Sequence, residues 1–447
     1  MTESTHGEAQ AAGGKMPRSI GYILTNEASE RFSYYGLTAI LPIVTTRYLF
    51  DSAGNAAPMT DEQSKYTIHL FTAAVYFFPF VGTLLCDLWL GTFRTVVTFS
   101  ALYCLGFLAL MVDSTLTGLI IGLSVIAVCC GVIKPCVSAN VGDQFDRRNH
   151  HLLSKAYNWF YLSINIGSFV SMFIAQRILD GAGRRVVFGV LMAVMAVATI
   201  AFYLGKSRFV RVPVRGAEFF RQTFSREGLA ILARLSIIFI FVAVFWSLYY
   251  QTVSAWVLQA KSMNLHWLGH TWKESEMTAV NPALILVMIP LFNLWIYPTM
   301  DKIYRMTPLR KIGIGLFLAA VSFLVSAWLE ARIAAGGAPS IGWQVLGYVI
   351  ITAAEIMVSI TVIEFSYTQA PPRMKSLAQT LNLVSTTLGN LFTAWVNYFI
   401  QGENGTRRFL QGADYYMFFF WVMVGASLVY ILVASFYKEK TYIREAE

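Results

Sequence analysis

Glu27, Glu30, Arg31, Tyr34 and Thr38 stand close together in NEASERFSYYGLTAIL, residues 26–41, among residues that otherwise suit lipid. Their spacing of i, i+3, i+4, i+7 and i+11 sets them on one stripe of a helix. A charge at the centre of a membrane helix costs about 2.5–3.5 kcal/mol, so three facing lipid would cost roughly 9 kcal/mol. They must face a cavity or partners. Other apolar stretches hold His69, Lys134 (just before Pro135), Glu355 and Glu364. A single buried acid–base pair could merely hold helices in register. A set drawn from four segments, with acid in excess, suits groups that take up and release protons.

The elements that must carry these residues follow from composition. Of the 447 residues, 56% are hydrophobic and only 13% charged. A soluble protein carries about a quarter charged residues. The chain therefore reads as an all-α protein that crosses a membrane many times. The net charge of +9 could suggest nucleic acid, but the bases lie in short loops between apolar runs, which is a topology signal. The five cysteines fall in apolar segments without CxxC spacing and read as small core hydrophobes. No metal-ligand cluster, nucleophile elbow or phosphate loop is present, and no soluble signalling domain, so neither an enzyme, a metal site nor a receptor is expected.

Stretches of about 20 apolar residues can span a bilayer. Twelve occur, at 20–48, 64–89, 94–112, 116–140, 154–178, 186–205, 229–259, 278–298, 310–330, 342–367, 376–401 and 413–437. The expected organisation is a disordered tail (1–18), a six-helix bundle (19–205), a basic linker (206–228), a second six-helix bundle (229–437) and a short tail (438–447). The N-terminus lacks the apolar core of a signal peptide. Lys and Arg concentrate in the segments on the side of both termini, which places the termini in the cytoplasm. Arg177, Arg184 and Arg185, between spans 5 and 6, go against that trend. The halves echo each other faintly. Span 2 ends in CDLWLGTFR, with Asp87, Gly91 and Arg94, and span 8 in YPTMDKIYR, with Asp301 and Arg305. An acid and a base about a tight turn can lock neighbouring helix ends. In this loop of a twelve-span chain the pattern points to the major facilitator fold, whose related halves rock about a midplane site.

Longer motifs sharpen this. Glu27, Glu30-Arg31-Phe32 and Tyr34-Tyr35-Gly36 form an ExxERFxYYG motif, followed by KPCVSANVGDQF (134–145), FYLSINIGSF (160–169) and EFSYTQAPPRMKS (364–376). Together, over about residues 20–437, these resemble the proton-dependent oligopeptide transporter family. The resemblance implies proton-driven uptake of di- and tripeptides by alternating access, with protons as coupling ion, no other cofactor, and a monomer in the lipid bilayer. With no large external domain or targeting segment in the sequence, a bacterial inner membrane is expected. The resemblance also implies that Arg31, assisted by Lys134, holds the peptide carboxylate and that Glu355 receives the amino group. It further implies that Asn165 and Asn281 bind the peptide backbone, that Tyr34, Tyr76, Trp246 and Ser359 wall the pocket, and that Glu27, Glu30, His69 and Lys134 couple the proton. A planar guanidinium suits a carboxylate because it can meet it bidentately. His69 lies seven residues before Tyr76, which sets it on the same helical face and so on the pocket side.

The chain departs from the family pattern where an external gating ion pair is usual: Thr38 replaces a base and Tyr250 an acid. Losing one partner would strand a charge, whereas losing both is nearly neutral. Asp87 and Arg94 complete the expected gating set. Asn382 stands where an aromatic residue is common. The competing expectation is the same fold moving another small solute, such as nitrate or a modified peptide. An anion has no amino group to engage Glu355.

Overall fold

The computed structural model describes residues 15–145, 149, 152–210, 226–369, 375–400 and 409–437. The expected tails therefore lie largely outside the described residues, as does most of the linker.

Each of the twelve apolar stretches is helical. Spans 1 to 6 are α1 (Ser19–Arg47), α2 (Asp61–Leu85), α3 (Gly91–Val112), α4 (Leu116–Asp143), α5 (Leu153–Ala182) and α6 (Arg184–Leu204). Span 7 is α7 (Arg226–Tyr249), a 3-10 turn at Tyr250–Val253 and α8 (Ala255–Ala260). Span 8 runs through α9 (Val280–Leu291) and α10 (Tyr297–Ile303), and span 9 is α11 (Pro308–Ala334). Span 10 joins α12 (Gly342–Glu355) to α13 (Thr361–Thr368); spans 11 and 12 are α14 (Lys375–Ile400) and α15 (Ala413–Phe436). Ten spans are long and apolar enough to cross a membrane by length and composition. The two that fall short are α1, with its buried charges, and α14, which buries Asn382, Ser385, Asn390, Thr393 and Asn397. The charges of the Glu27–Arg31 cluster and these polar residues of α14 are turned inward, away from lipid.

Local chemistry sets several ends. Thr60 caps α2 by accepting from the Gln63 amide at 3.3 Å, while Gln63 Oε1 accepts from the Thr60 amide at 3.0 Å. Gly91 has φ +70°, which explains the glycine of the Asp87–Arg94 motif: the chain passes there from one helix into the next through a left-handed residue. Spans 2, 8 and 10 each contain one π turn, at Cys86–Leu90, Phe292–Ile296 and Ile356–Ile360. The first two sit near the ends of spans 2 and 8, beside the echoing Asp–Arg loops.

The helices form two bundles. In the first, α1 packs on α5 and α6, α3 on α4 and α6, and α2 on α4. In the second, α11 packs on α12 and α15, and α7 on α14. Separate hydrophobic clusters fill them, the first around Leu37, Ile126 and Phe188, the second around Phe245, Trp256 and Phe323. The bundles meet along α2 against α14 and α5 against α9. Lipid offers no apolar driving force between helices, so close approach depends on small residues. A Cβ added to Gly167 would strike the Ala28 carbonyl, and one on Gly389 the Ala243 carbonyl. Gly167 thereby seats α5 directly against the segment of α1 that carries Glu27.

Candidate functional site

The first half holds a compact charge cluster. Arg31 Nε lies 3.2 Å from Glu27 Oε1, and its terminal nitrogen 2.5 Å from Glu30 Oε2. All three side chains are buried, at 5% exposure or less. The i, i+3, i+4 spacing makes this possible on one turn and a quarter of helix. Cys130 Sγ on α4 donates to Glu30 Oε1 at 3.3 Å, and the Arg31 guanidinium stands 5.7 Å from the Tyr34 ring centre. Lys134 does not join the pair. Its ammonium lies 4.0 Å from the Tyr76 ring centre, and no carboxylate among the described residues is within 4.0 Å of it.

A cavity of about 150 Å³ lies between the bundles. Tyr34, Tyr35 and Thr38 of α1 and Asn165 of α5 line one wall; Tyr250, Asn281 and Glu355 line the other. Asn281 Nδ2 donates to Glu355 Oε2 at 2.8 Å and lies 3.0 Å from Thr352 Oγ1, while Tyr249 donates to Asn281 Oδ1 at 3.3 Å. Among the described residues no cation lies within ion-pair distance of Glu355. Its carboxylate is held by the neutral amide of Asn281 and the Tyr249 hydroxyl, and it lines the cavity. Asn165 Nδ2 donates to the Tyr161 carbonyl at 2.8 Å.

Thr38 and Tyr250, expected as a gating pair, both line this cavity but are not hydrogen-bonded to each other. Thr38 Oγ1 turns back to the Tyr35 carbonyl at 3.1 Å, as a hydroxyl inside a helix readily does. The Tyr250 ring packs 5.5 Å from Tyr76, across the bundles, and 5.7 Å from Trp246.

His69 lies elsewhere than its helical register suggested. It is fully buried against the opposing bundle, with Nδ1 2.8 Å from Asn390 Oδ1 on α14 and Nε2 2.9 Å from Ser254 Oγ. It is not among the residues that line the cavity. The reason is that α2 meets two surfaces: Thr72 touches the cavity while His69, three residues earlier, touches α14. Glu364 also parts from the group. It is exposed in α13, beyond the π turn that rotates the rest of span 10 relative to Glu355. Tyr76 and Trp246 are buried beside Tyr250, Asn382 is buried with its Oδ1 lacking a hydrogen-bond partner, and Ser359 is half-buried within the π turn. Arg94 is exposed, and the Asp87 side chain lies outside the described residues.

Near the loops joining spans 1 to 2 and 7 to 8, the bundles are tied together. A two-stranded hairpin, β1 (His266–Trp267) and β2 (His270–Thr271), turns through Leu268 and Gly269, both with positive φ. After it, Glu274 accepts from Arg47 of α1 at 2.6 Å and from Gln176 of α5. Arg177 pairs with Glu276 at 2.5 Å, Lys273 with Asp180 at 2.8 Å, and Lys261 with Asp61 at 3.2 Å. This explains the bases between spans 5 and 6 that defy the charge trend: Arg177 is a clamp, and Arg184 donates to the Asp113 carbonyl. Burial raises the Glu274 carboxyl, but hydrogen bonds from the backbone, Gln176 and Arg47 outweigh it and hold the group below its ordinary value.

The sequence reading missed Tyr161, Ser168, Met172 and Tyr249 on the cavity wall. The first three follow Asn165's face of α5 at helical spacing, a periodic signal that could have found them. Tyr249 is hidden in an aromatic run and had no such mark.

Comparison with known proteins bears on this geometry. A profile of the POT family matches residues 93–232 and 217–407. The chain is 30% identical over 442 residues to solute carrier family 15 member 2 of Danio rerio, covering 88% of this chain and 56% of that protein. It is 32% identical over 363 residues to peptide transporter family 1 of Drosophila melanogaster, covering 71% and 48%. It thus spans about half the length of the curated relatives it matches. Among solved structures, an auto-inhibited POT family peptide transporter superposes with TM-score 0.86 at 29% identity, over 96% of this chain and 99% of the other. The POT family transporter PepTSo does so with TM-score 0.87 at 29% identity, over 95% and 99%.

Proposed function

The chain belongs to the POT family, and from that premise we propose that it is a symporter that uses a proton gradient to take up di- and tripeptides by alternating access. The observation that carries this reading is Glu355 on the cavity wall, held by Asn281 and without a cation in reach. Such a carboxylate suits the ammonium end of a zwitterion. The peptide carboxylate goes to Arg31 with help from Lys134, and Asn165 and Asn281 meet the peptide backbone. Arg31 is occupied by Glu27 and Glu30. Protonating either acid frees the guanidinium for the substrate, which couples proton and peptide at one group. Lys134, resting on Tyr76, is then placed to take the released carboxylate.

The division at residues 206–228 makes two bundles that rock as units. The tied end, with its loops between spans 1 and 2 and spans 7 and 8, faces outward, and both termini are cytoplasmic in the inner membrane of a bacterium. The protein acts as a monomer, needs no cofactor and performs no enzymatic reaction. Thr38 and Tyr250 gate the outer side of the cavity, and Asp87 and Arg94 steady the inner loop between spans 2 and 3.

Reconstituted protein under an inward proton gradient is expected to concentrate a labelled dipeptide. Failure with every dipeptide tried, alongside strong nitrate uptake, would establish the other-solute reading instead.

A further inference from the structure

A second cavity is larger than the one between the bundles. A groove of about 440 Å³ lies within the second bundle, where the start of α11 meets the end of α15. Gly313, Ile314, Phe317, Ile431 and Ala434 give it an apolar floor. Tyr304, Thr307, Arg310 and Ser435 stand at its mouth. Ile431 and Phe436, on the α15 side, are 50% and 83% exposed, so this flank of the helix pair faces whatever surrounds the protein laterally. In a chain built to span a membrane, that medium is lipid.

Two features make the groove more than a seam between helices. Gly313 gives it depth: a Cβ there would already lie 3.2 Å from the Tyr430 ring, so any larger side chain fills the space. The mouth is also basic. Lys302, Arg305, Arg310 and Lys311 fall within ten residues, DKIYRMTPLRK, at the end of a membrane span. The one acid of that stretch, Asp301, is turned to the Met306 amide at 2.6 Å. Arg310 is braced, with its guanidinium 3.9 Å from the Tyr304 ring centre and one nitrogen donating to the Arg305 carbonyl at 2.8 Å. Among the described residues no carboxylate lies within 4.0 Å of it.

We propose that this groove binds an anionic phospholipid, with an acyl chain on the Gly313 floor and the headgroup phosphate at Arg310. Arginine suits the phosphate because its planar fork can donate two hydrogen bonds at once. Basic clusters beside a membrane span attract acidic headgroups by about 1 kcal/mol per base, or roughly fivefold each. The recessed apolar floor supplies what a surface cluster lacks, a place where one lipid is retained. The site is separate from the peptide cavity and does not depend on the solute the protein carries.

Native mass spectrometry of the intact, purified chain tests the assignment with phosphatidylglycerol and phosphatidylcholine of identical acyl chains. The wild type is expected to retain phosphatidylglycerol several-fold more tightly. Arg310→Gln is expected to weaken it about fivefold while leaving phosphatidylcholine unchanged. Gly313→Leu is expected to weaken both lipids, and inorganic phosphate should not displace the bound lipid. Equal retention of the two lipids by the wild type would overturn the proposal. So would an Arg310→Gln variant that binds like the wild type, or ready displacement by phosphate, which would mark an anion site without an acyl groove. Thermal melting of each variant separates a lost site from lost folding: a variant that melts like the wild type and retains phosphatidylglycerol equally well contradicts the assignment.

Discussion

The two halves bury their carboxylates in opposite ways. In the first, Glu27 and Glu30 share one guanidinium, and the site is closed on itself. In the second, Glu355 is held by neutral donors, the Asn281 amide and the Tyr249 hydroxyl, and opens toward the cavity. An ion pair buried at 5% exposure or less is costly to break from either side, because the remaining partner is left charged. A carboxylate held by a neutral donor can accept a cation and lose it again at less cost. In the proposed reading, one half is switched by a proton and the other visited by a ligand.

Removing the shared base should strain that contrast most. Arg31→Gln leaves two buried acids facing each other and is expected to cost about 3–5 kcal/mol of stability and to abolish uptake. Thermal melting in detergent and a dipeptide uptake assay would show it. A variant that melts like the wild type would mean that the acids are already neutral there, and that the cluster is not an ion pair.

Neutralising one acid should separate two kinds of transport. Counterflow needs no net proton movement, whereas accumulation does. Glu27→Gln or Glu30→Gln is expected to abolish uphill uptake while sparing part of the counterflow, measured on the same proteoliposomes. Equal loss of both would assign the acids to substrate binding alone.

On the other side of the cavity, Glu355→Gln removes a charge-assisted hydrogen bond worth about 1.5–3 kcal/mol, or roughly ten- to a hundredfold in affinity. The loss is expected for peptides with a free amino terminus and not for N-blocked ones. Competition binding with matched pairs decides the matter, and equal losses would end the contrast between the halves.

Thr38 and Tyr250 link the two walls more weakly. Tyr250→Glu should strand a carboxylate in the cavity and impair uptake, and adding Thr38→Arg should recover much of it, with a coupling of about 0.5–3 kcal/mol. If the double variant is as impaired as the sum of the single ones, the positions do not communicate.

The smallest effect belongs to the tied end. Glu274→Gln keeps the shape but loses the charge toward Arg47, a half-exposed pair worth about 1 kcal/mol. The carboxyl of Glu274 is held below its ordinary value, so its contribution is complete above that value and fades as acidification carries the pH below it. Hydrogen exchange over residues 264–276 should therefore be faster in Glu274→Gln than in the wild type at neutral pH. The difference between variant and wild type should shrink only in acid. A difference that grew in acid would give Glu274 the opposite sign.

What could be read from the sequence divides along physical lines. The twelve spans were legible because apolar runs of that length have few other uses, and their ends agree with the helices to within a few residues. The Glu27–Arg31 cluster was legible because helical spacing fixes it locally. The partners of His69 were not, since Ser254 and Asn390 lie 185 and 321 residues away and only the packing of α2 on α14 brings them near. The clamp residues Gln176, Arg177, Glu274 and Glu276 were invisible for the same reason. The π turns carry no mark in composition.

The clamp has a consequence for supply. In the proposed reading, a solute arriving at the tied end meets a binding site only in the fraction of molecules in which Arg47, Arg177, Lys261 and Lys273 have let go together. Its apparent affinity from that side is the intrinsic one scaled down by this fraction. The same pairs are screened by dissolved salt. Scarce nutrient in dilute water and the same nutrient in brine would thus be gathered by what amount to two different collectors, one slow to open its mouth and one quicker.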